Sequence, residues 1–238
     1  MIDIMISKIN NGLNKNLLCA ALSLIIILVV GGGVTSAAST PTFNQTINAG
    51  ALSTDILDAS RATVASPSAT MSAKSFSFSC GSGAGASTGT FGTNTERIYV
   101  INPSGANNGW TLTMAATAGS TALWSDGGTN TYDFNDAGTG GCTDGADTDT
   151  KAGQLTIDPS VGTLTTDCTT CATTNITKGS SSAFVEGTLN SITLLNAAAA
   201  SDDVWRGYLT GVTLSQTIPA ETPAAAYTIN MTLTATAL

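Results

Sequence analysis

Histidine is absent from the 238 residues, which removes Ser-His and Cys-His nucleophile pairs and histidine-held zinc-water sites from consideration. Charge is scarce too: about one residue in ten is Asp, Glu, Lys or Arg, and acids outnumber bases sixteen to eight. Binding to phosphates needs a basic footprint, so no nucleic-acid partner is expected. Glycoside hydrolysis needs only two carboxyl groups at a suitable separation. Glu96 and Glu186 are the Glu residues of the expected globular core, and nothing in the sequence brings them together. The chain is therefore not expected to be an enzyme. Helical periodicity is also lacking beyond the N-terminus, where the best candidate, residues 52–59, is short.

What the chain does have begins at its N-terminus. Lys8 and Lys15 precede an apolar run over residues 17–30, followed by a small-residue stretch from Gly31 to Ala38. That layout is a secretory signal peptide, whose core of about 14 residues is shorter than the roughly 20 needed for a spanning helix. Residues 1–38 are expected to be removed, and residues 39–238 to form one domain that works at the extracellular cell surface. The competing reading is an uncleaved anchor, which would make this segment the only membrane contact. Cys19 lies near the start of the apolar run rather than after it, unlike a lipid-modified cysteine. Beyond residue 38, six Lys/Arg face fifteen Asp/Glu. The polar surface is built mainly from Ser, Thr, Asn and Gly.

Four cysteines follow the leader: Cys80, Cys142, Cys168 and Cys171. In an oxidising compartment they are expected to form two disulfides, with three connectivities open. The Cys168-Thr-Thr-Cys171 spacing also fits redox or zinc chemistry, but neither a βαβ context nor a second ligand pair accompanies it.

Strand chemistry recurs at residues 43–49, 62–64, 70–78, 97–102, 110–116, 154–158, 162–165, 172–177, 187–196, 205–214 and 227–236. Ile98 and Val100, then Trp110, Leu112 and Met114, then Tyr227, Ile229, Met231 and Leu233 alternate with intervening residues, as in half-buried strands. Turn signals separate them, including Asn102-Pro103-Ser104-Gly105, Asn107-Asn108-Gly109 and Asp126-Gly127-Gly128. Short strands without intervening helices predict an all-β, antiparallel β-sandwich behind the N-terminal signal helix. An acidic Gly-rich loop at residues 126–149 is expected to interrupt it.

The segment Asn107-Asn108-Gly109-Trp110-Thr111-Leu112-Thr113-Met114 resembles the first Trp-x-Leu motif of the WxL domain, a bacterial surface module. The tail Ile218-Pro219-Ala220, followed by residues 227–234, resembles the closing strand of that family. Its second motif has Trp where this chain has Met231, while Leu233 is retained. The resemblance covers roughly residues 43–238 and implies an Ig-like or WxL-like sandwich. It also implies noncovalent attachment to the peptidoglycan-containing wall of Gram-positive bacteria. The expected function is a secreted, non-catalytic binding or attachment module. Its partners would be cell-wall polysaccharide, peptidoglycan or other surface proteins. The alternative is a self-assembling structural subunit of a surface layer or fibre, since an exposed strand edge can pair with a neighbour.

Trp110, Leu112 and Trp124 are the candidate contact residues. An aromatic on an alternating strand more often fills a core, whereas Trp124 lies beside a turn. Trp205, after Asp202-Asp203, is read as packing where its strand meets the core. Asp133, Asn135, Asp136, Asp144, Asp147 and Asp149 place hard oxygen ligands on the Gly-rich loop. Calcium takes six to eight such oxygens, and the alternative is a solvated surface loop. If calcium fills the loop, calorimetry will show binding at millimolar concentration, and chelator will lower the melting temperature. A flat titration with an unchanged melting temperature would assign the loop to solvation alone.

Overall fold

Trp110, Leu112, Met114 and Ala116 are buried while the residues between them are half-buried, the alternation of a strand with one face on a core. This strand, β4 (Trp110–Ala116), is central in a four-stranded sheet whose order is β10 (Ile176–Lys178), β12 (Ile192–Ala197), β4, β15 (Met231–Ala237). A register shift between Thr193 and Leu195 lets consecutive Leu194 and Leu195 both be fully buried, as a β-bulge allows. A second four-stranded sheet runs β1 (Ser53–Leu57), β3 (Arg97–Asn102), β13 (Trp205–Thr210), β9 (Thr163–Thr166). The third runs β11 (Ser182–Ala183), β8 (Gly153–Asp158), β14 (Val212–Ile218), β2 (Gly85–Phe91), with β7 (Asn135–Asp136) added to β8. A hairpin of β5 (Leu123–Ser125) and β6 (Thr131–Asp133) completes the set.

This computed structural model describes residues 42–80, 83–137 and 152–238. The segment read as a signal peptide lies outside them, as do Cys142, Asp144, Asp147 and Asp149. The described chain divides at Ile47, and the unit Asn48–Leu238 carries all the sheets. It is all-β and sandwich-like, with antiparallel pairing throughout. The 3-10 turn Gly119–Thr121 is the one helical element among the described residues. No helix among them is long and apolar enough to cross a membrane.

One hydrophobic core takes side chains from all three larger sheets. At its centre the rings of Trp110 on β4 and Trp205 on β13 lie 5.3 Å apart, each 1% exposed. The Trp205 indole N–H donates to Ala172 C=O at 3.0 Å. That of Trp110 has no acceptor among the described residues.

Several expected elements take a different form. Residues 52–59 form β1 and a turn rather than a helix: Asp58 Oδ1 accepts the N–H groups of Ser60 and Ala62, and Arg61 takes φ 70°. The run 205–214 splits at Gly211, whose φ of 77° carries the chain from β13 in one sheet to β14 in another. A left-handed backbone at that step suits glycine. Residues 43–49 form no strand, and residues 70–78 form a strap whose single bridge joins Met71 to Gly89 on β2.

The outer face of the β10-β12-β4-β15 sheet is a grid of hydroxyls. Thr193, Thr113 and Thr234 stand in one cross-strand row, and Thr177, Asn196, Thr111 and Thr236 in the next. No charged residue occupies either row.

Trp110→Ala is expected to lower the free energy of unfolding by about 3–5 kcal/mol, through lost burial and the cavity left behind. Trp110→Phe should cost less, because no hydrogen bond is broken. Trp205→Phe additionally strands Ala172 C=O, for about 1 kcal/mol more. Urea denaturation of the three variants checks both the size and the order.

Candidate binding cleft

The β5–β6 hairpin is set by its turn. Asp126 Oδ1 accepts Gly128 N–H at 2.7 Å, its Oδ2 accepts the Asn130 side-chain amide at 2.6 Å, and Gly127 takes φ 79°. The Asn130 bond, followed by that from Gly128, holds the Asp126 carboxyl below its ordinary pKa. This turn pairs Trp124 with Tyr132 across the hairpin, their rings stacked 5.9 Å apart at 10°. Tyr227 meets Tyr132 edge-on at 5.0 Å. Burial raises the Tyr132 hydroxyl pKa above its ordinary value, and desolvation raises that of Tyr227. Both phenols stay neutral across the physiological range.

Gln216 ties this aromatic wall to the core. It lies on the inward face of β14, 1% exposed. Its Oε1 accepts the Trp124 indole N–H at 2.9 Å, and its amide nitrogen donates to Asp133 C=O at 3.0 Å and Thr217 C=O at 2.9 Å. A buried amide costs little when its groups are paired.

The opposite wall is the strap. Ser72 N–H donates to Thr88 C=O at 2.7 Å, and Thr88 N–H donates to Ser72 Oγ at 2.9 Å. Gly89 makes room for it, because a Cβ there would stand 2.8 Å from both Met71 Sδ and Thr70 C=O. Between strap and hairpin lies a cleft of about 600 Å³, lined by Trp124, Tyr132, Gln216, Tyr227 and serine and threonine hydroxyls. Lys74 is the one charged residue on its walls. A second cleft of about 520 Å³ shares Met71, Trp124 and Tyr227 with the first and extends between β1 and β15. Neither is lined by Glu96 or Glu186; Glu96 Oε2 instead accepts Ser68 N–H at 3.2 Å.

Of the candidate contact residues, Trp110 is 1% exposed and Leu112 fully buried, so both pack the core and offer a ligand no surface. Trp124 is half-buried on the cleft wall rather than free at a turn tip. Tyr132, Gln216 and Tyr227 were not singled out as site residues by the sequence. Of the three only Tyr227 lay in a segment with strand alternation, and the pairings that unite them are long-range. Asp133, Asn135 and Asp136 are buried on β6 and β7 instead of standing in a solvated loop. The Asn135 side-chain amide donates to Ser120 C=O at 2.8 Å. No cluster of three His, Cys, Asp or Glu that could hold a metal occurs among the described residues. The other three proposed calcium ligands lie outside that set.

Cys168 and Cys171 are joined to each other, with Cα atoms 5.5 Å apart, and Cys80 is also disulfide-bonded. Beside the Cys168–Cys171 bridge, Asp167 forms a polar lock. Arg61 Nε and Nη2 donate to its two carboxylate oxygens at 2.7 and 3.0 Å, and Tyr99 O–H donates at 3.2 Å. Arg206 grips Asp167 C=O through two N–H groups at 2.8 and 2.6 Å. The Arg61 hydrogen bond, then that from Tyr99, holds the Asp167 carboxyl below its ordinary pKa.

No known protein family, curated protein or solved structure matches the chain.

A carboxyl with a lowered folded-state pKa stabilises the fold above its unfolded pKa, and that contribution is lost as pH falls through the folded value. Arg61→Gln should therefore reduce stability at neutral pH. The difference from the parent chain should shrink at a pH well below the carboxyl range, where Asp167 is protonated in both. Urea unfolding of the two proteins at both pH values tests the sign.

Proposed function

We propose that the chain is a secreted, non-catalytic cell-surface protein that binds cell-wall polysaccharide or peptidoglycan through its aromatic cleft. The observation that carries this reading is the wall formed by Trp124, Tyr132 and Tyr227 beside hydroxyl and amide groups. Aromatic faces stack on the apolar faces of sugar rings, while hydroxyls and amides exchange hydrogen bonds with their rims. A cleft with one lysine and no carboxylate matches a neutral or weakly acidic ligand better than a cationic one. The leader-like N-terminus and the WxL resemblance support a wall location and an Ig-like or WxL-like sandwich. Since Trp110 and Leu112 are buried, their part in this reading is to build the fold. Contact passes to Trp124 and Tyr227. Calcium in the acidic loop remains part of the proposal as an aid to surface attachment.

A second reading, a self-assembling subunit of a surface layer or fibre, is favoured by β15. It ends its sheet with no further strand paired beyond it among the described residues.

Co-sedimentation with isolated Gram-positive cell walls, with and without calcium, tests the first reading. Saturable binding is expected, with Tyr227→Ala weakening it about tenfold while the variant still unfolds cooperatively in urea. Absence of binding in both conditions would overturn the wall reading.

A further inference from the structure

The main-chain bonds of β15 alternate in direction. Thr117 N–H donates to Asn230 C=O and Leu238 N–H donates to Gly109 C=O, so the even-numbered residues between them face β4. The N–H and C=O groups of Met231, Leu233 and Ala235 therefore point to the outer edge, where no strand pairs among the described residues. β1 is the end strand of its own sheet and lies against β15. The 520 Å³ cleft opens along this seam, reaching buried Met114, Leu155 and Leu214 past Ile56, Met231 and Leu233. It is an apolar slot beside an unpaired strand edge.

The same chain carries a segment of matching chemistry. In residues 43–49, Phe43, Gln45, Ile47 and Ala49 alternate with Asn44, Thr46 and Asn48, and no residue is charged. Phe43 is 91% and Ile47 88% exposed. The segment spans seven residues, the length of β15. Its alternation would send Phe43, Gln45, Ile47 and Ala49 to one face, with Gln45 as the single polar side chain there, and Asn44, Thr46 and Asn48 to the other, while its main chain supplied the missing ladder. Gly50 N–H donates to Pro103 C=O at 3.1 Å, continuing the β1–β3 ladder beyond Ser53.

We propose that residues 43–49 of one copy add as a strand to the outer edge of β15 in a second copy, with Phe43 and Ile47 filling the slot between β1 and β15. The proposal rests on the self-assembly reading and names its donor and acceptor. Because each copy both gives and receives a strand, the contact is head-to-tail and propagates into a filament unless the rotation closes a ring. Neither side carries a charge that must be desolvated except Asp55 at the slot.

The test uses the full chain, kept in mild detergent so that the apolar run at residues 17–30 stays dispersed. A Phe43→Ser/Ile47→Ser variant disables the donor at two exposed positions and leaves the acceptor free. A synthetic peptide of residues 40–50 should bind it saturably, and Leu233→Lys in that background should weaken binding more than about tenfold. In parallel, chains carrying Ile47→Cys are mixed with chains carrying Ala235→Cys under oxidising conditions. A mixed disulfide between different chains, absent when either variant is incubated alone, is the expected product. This second measurement does not depend on Leu233→Lys folding. No saturable peptide binding together with no mixed disulfide overturns the proposal. So does a bridge that forms only within one chain when both substitutions are placed together, which would make the segment an internal latch. Because the slot shares Trp124 and Tyr227 with the cleft, the two readings are scored on different readouts. Wall co-sedimentation of the donor-disabled Phe43→Ser/Ile47→Ser variant reports on the wall reading alone, and peptide binding and the mixed disulfide, measured without wall material, report on strand addition alone.

Discussion

Two tryptophans from different sheets, 5.3 Å apart and each 1% exposed, join the sandwich at its core. Trp110 belongs to β4, the strand flanked by β12 and β15, and Trp205 to β13, which is flanked by β3 and β9. Fixing their contact sets the separation of the two sheets, because aromatic rings are incompressible and the interior around them is close-packed. The consequences run outward. β13 leads through Gly211 into β14, so the position of Trp205 also sets where the third sheet begins. Trp205 is bonded to Ala172 C=O, just after the Cys168–Cys171 bridge, so the disulfide loop is tethered to the same contact.

Gln216 transmits that placement to the cleft. Its amide is 1% exposed, and its partners lie on different elements, Trp124 on β5 at the cleft wall and Asp133 on β6 behind it. Trp124 is held by its indole nitrogen, which leaves its ring plane parallel to Tyr132. A ligand entering the cleft meets an aromatic surface already oriented. Little side-chain entropy is then left to lose on binding.

The strands with large alternating side chains were legible in the sequence. β4, β8 and β15 follow the period of two closely, with Leu112 and Ile157 buried and Leu233 half-buried on the inward face, whereas β3 was expected to alternate but buries Ile98, Tyr99 and Val100 in succession because both its faces are covered. β2 was not legible. Its Gly-Ala-Ser-Thr-Gly-Thr-Phe composition reads as a linker, yet it pairs along the whole of β14, stabilised by main-chain bonds and by room at Gly89 for the strap. Residues 205–214 read as one strand, since nothing local distinguishes a glycine that lets two sheets diverge from one tolerated within a strand. The Asp126-Gly127-Gly128 turn was visible, but the three-residue strands beside it were too short to show a period. The cleft depended on a contact between residues 92 positions apart, Trp124 and Gln216, which no local pattern encodes. Residues 43–49 have strand chemistry without a described partner strand in their own chain, a mismatch that only the structure displays.

The hydroxyl grid on the outer face of the β10-β12-β4-β15 sheet has a physical corollary for colloidal behaviour. Its rows are spaced by the geometry of the sheet, about 4.8 Å between strands and roughly 6.8 Å between same-face residues along each strand. Hydration there is carried by uncharged donors and acceptors, so it needs no counterion atmosphere. Salt that collapses the field of charged groups to about 8 Å leaves this face unchanged, although the whole chain bears a net charge of -8. On this side the molecule meets brine and fresh water with the same solvation shell.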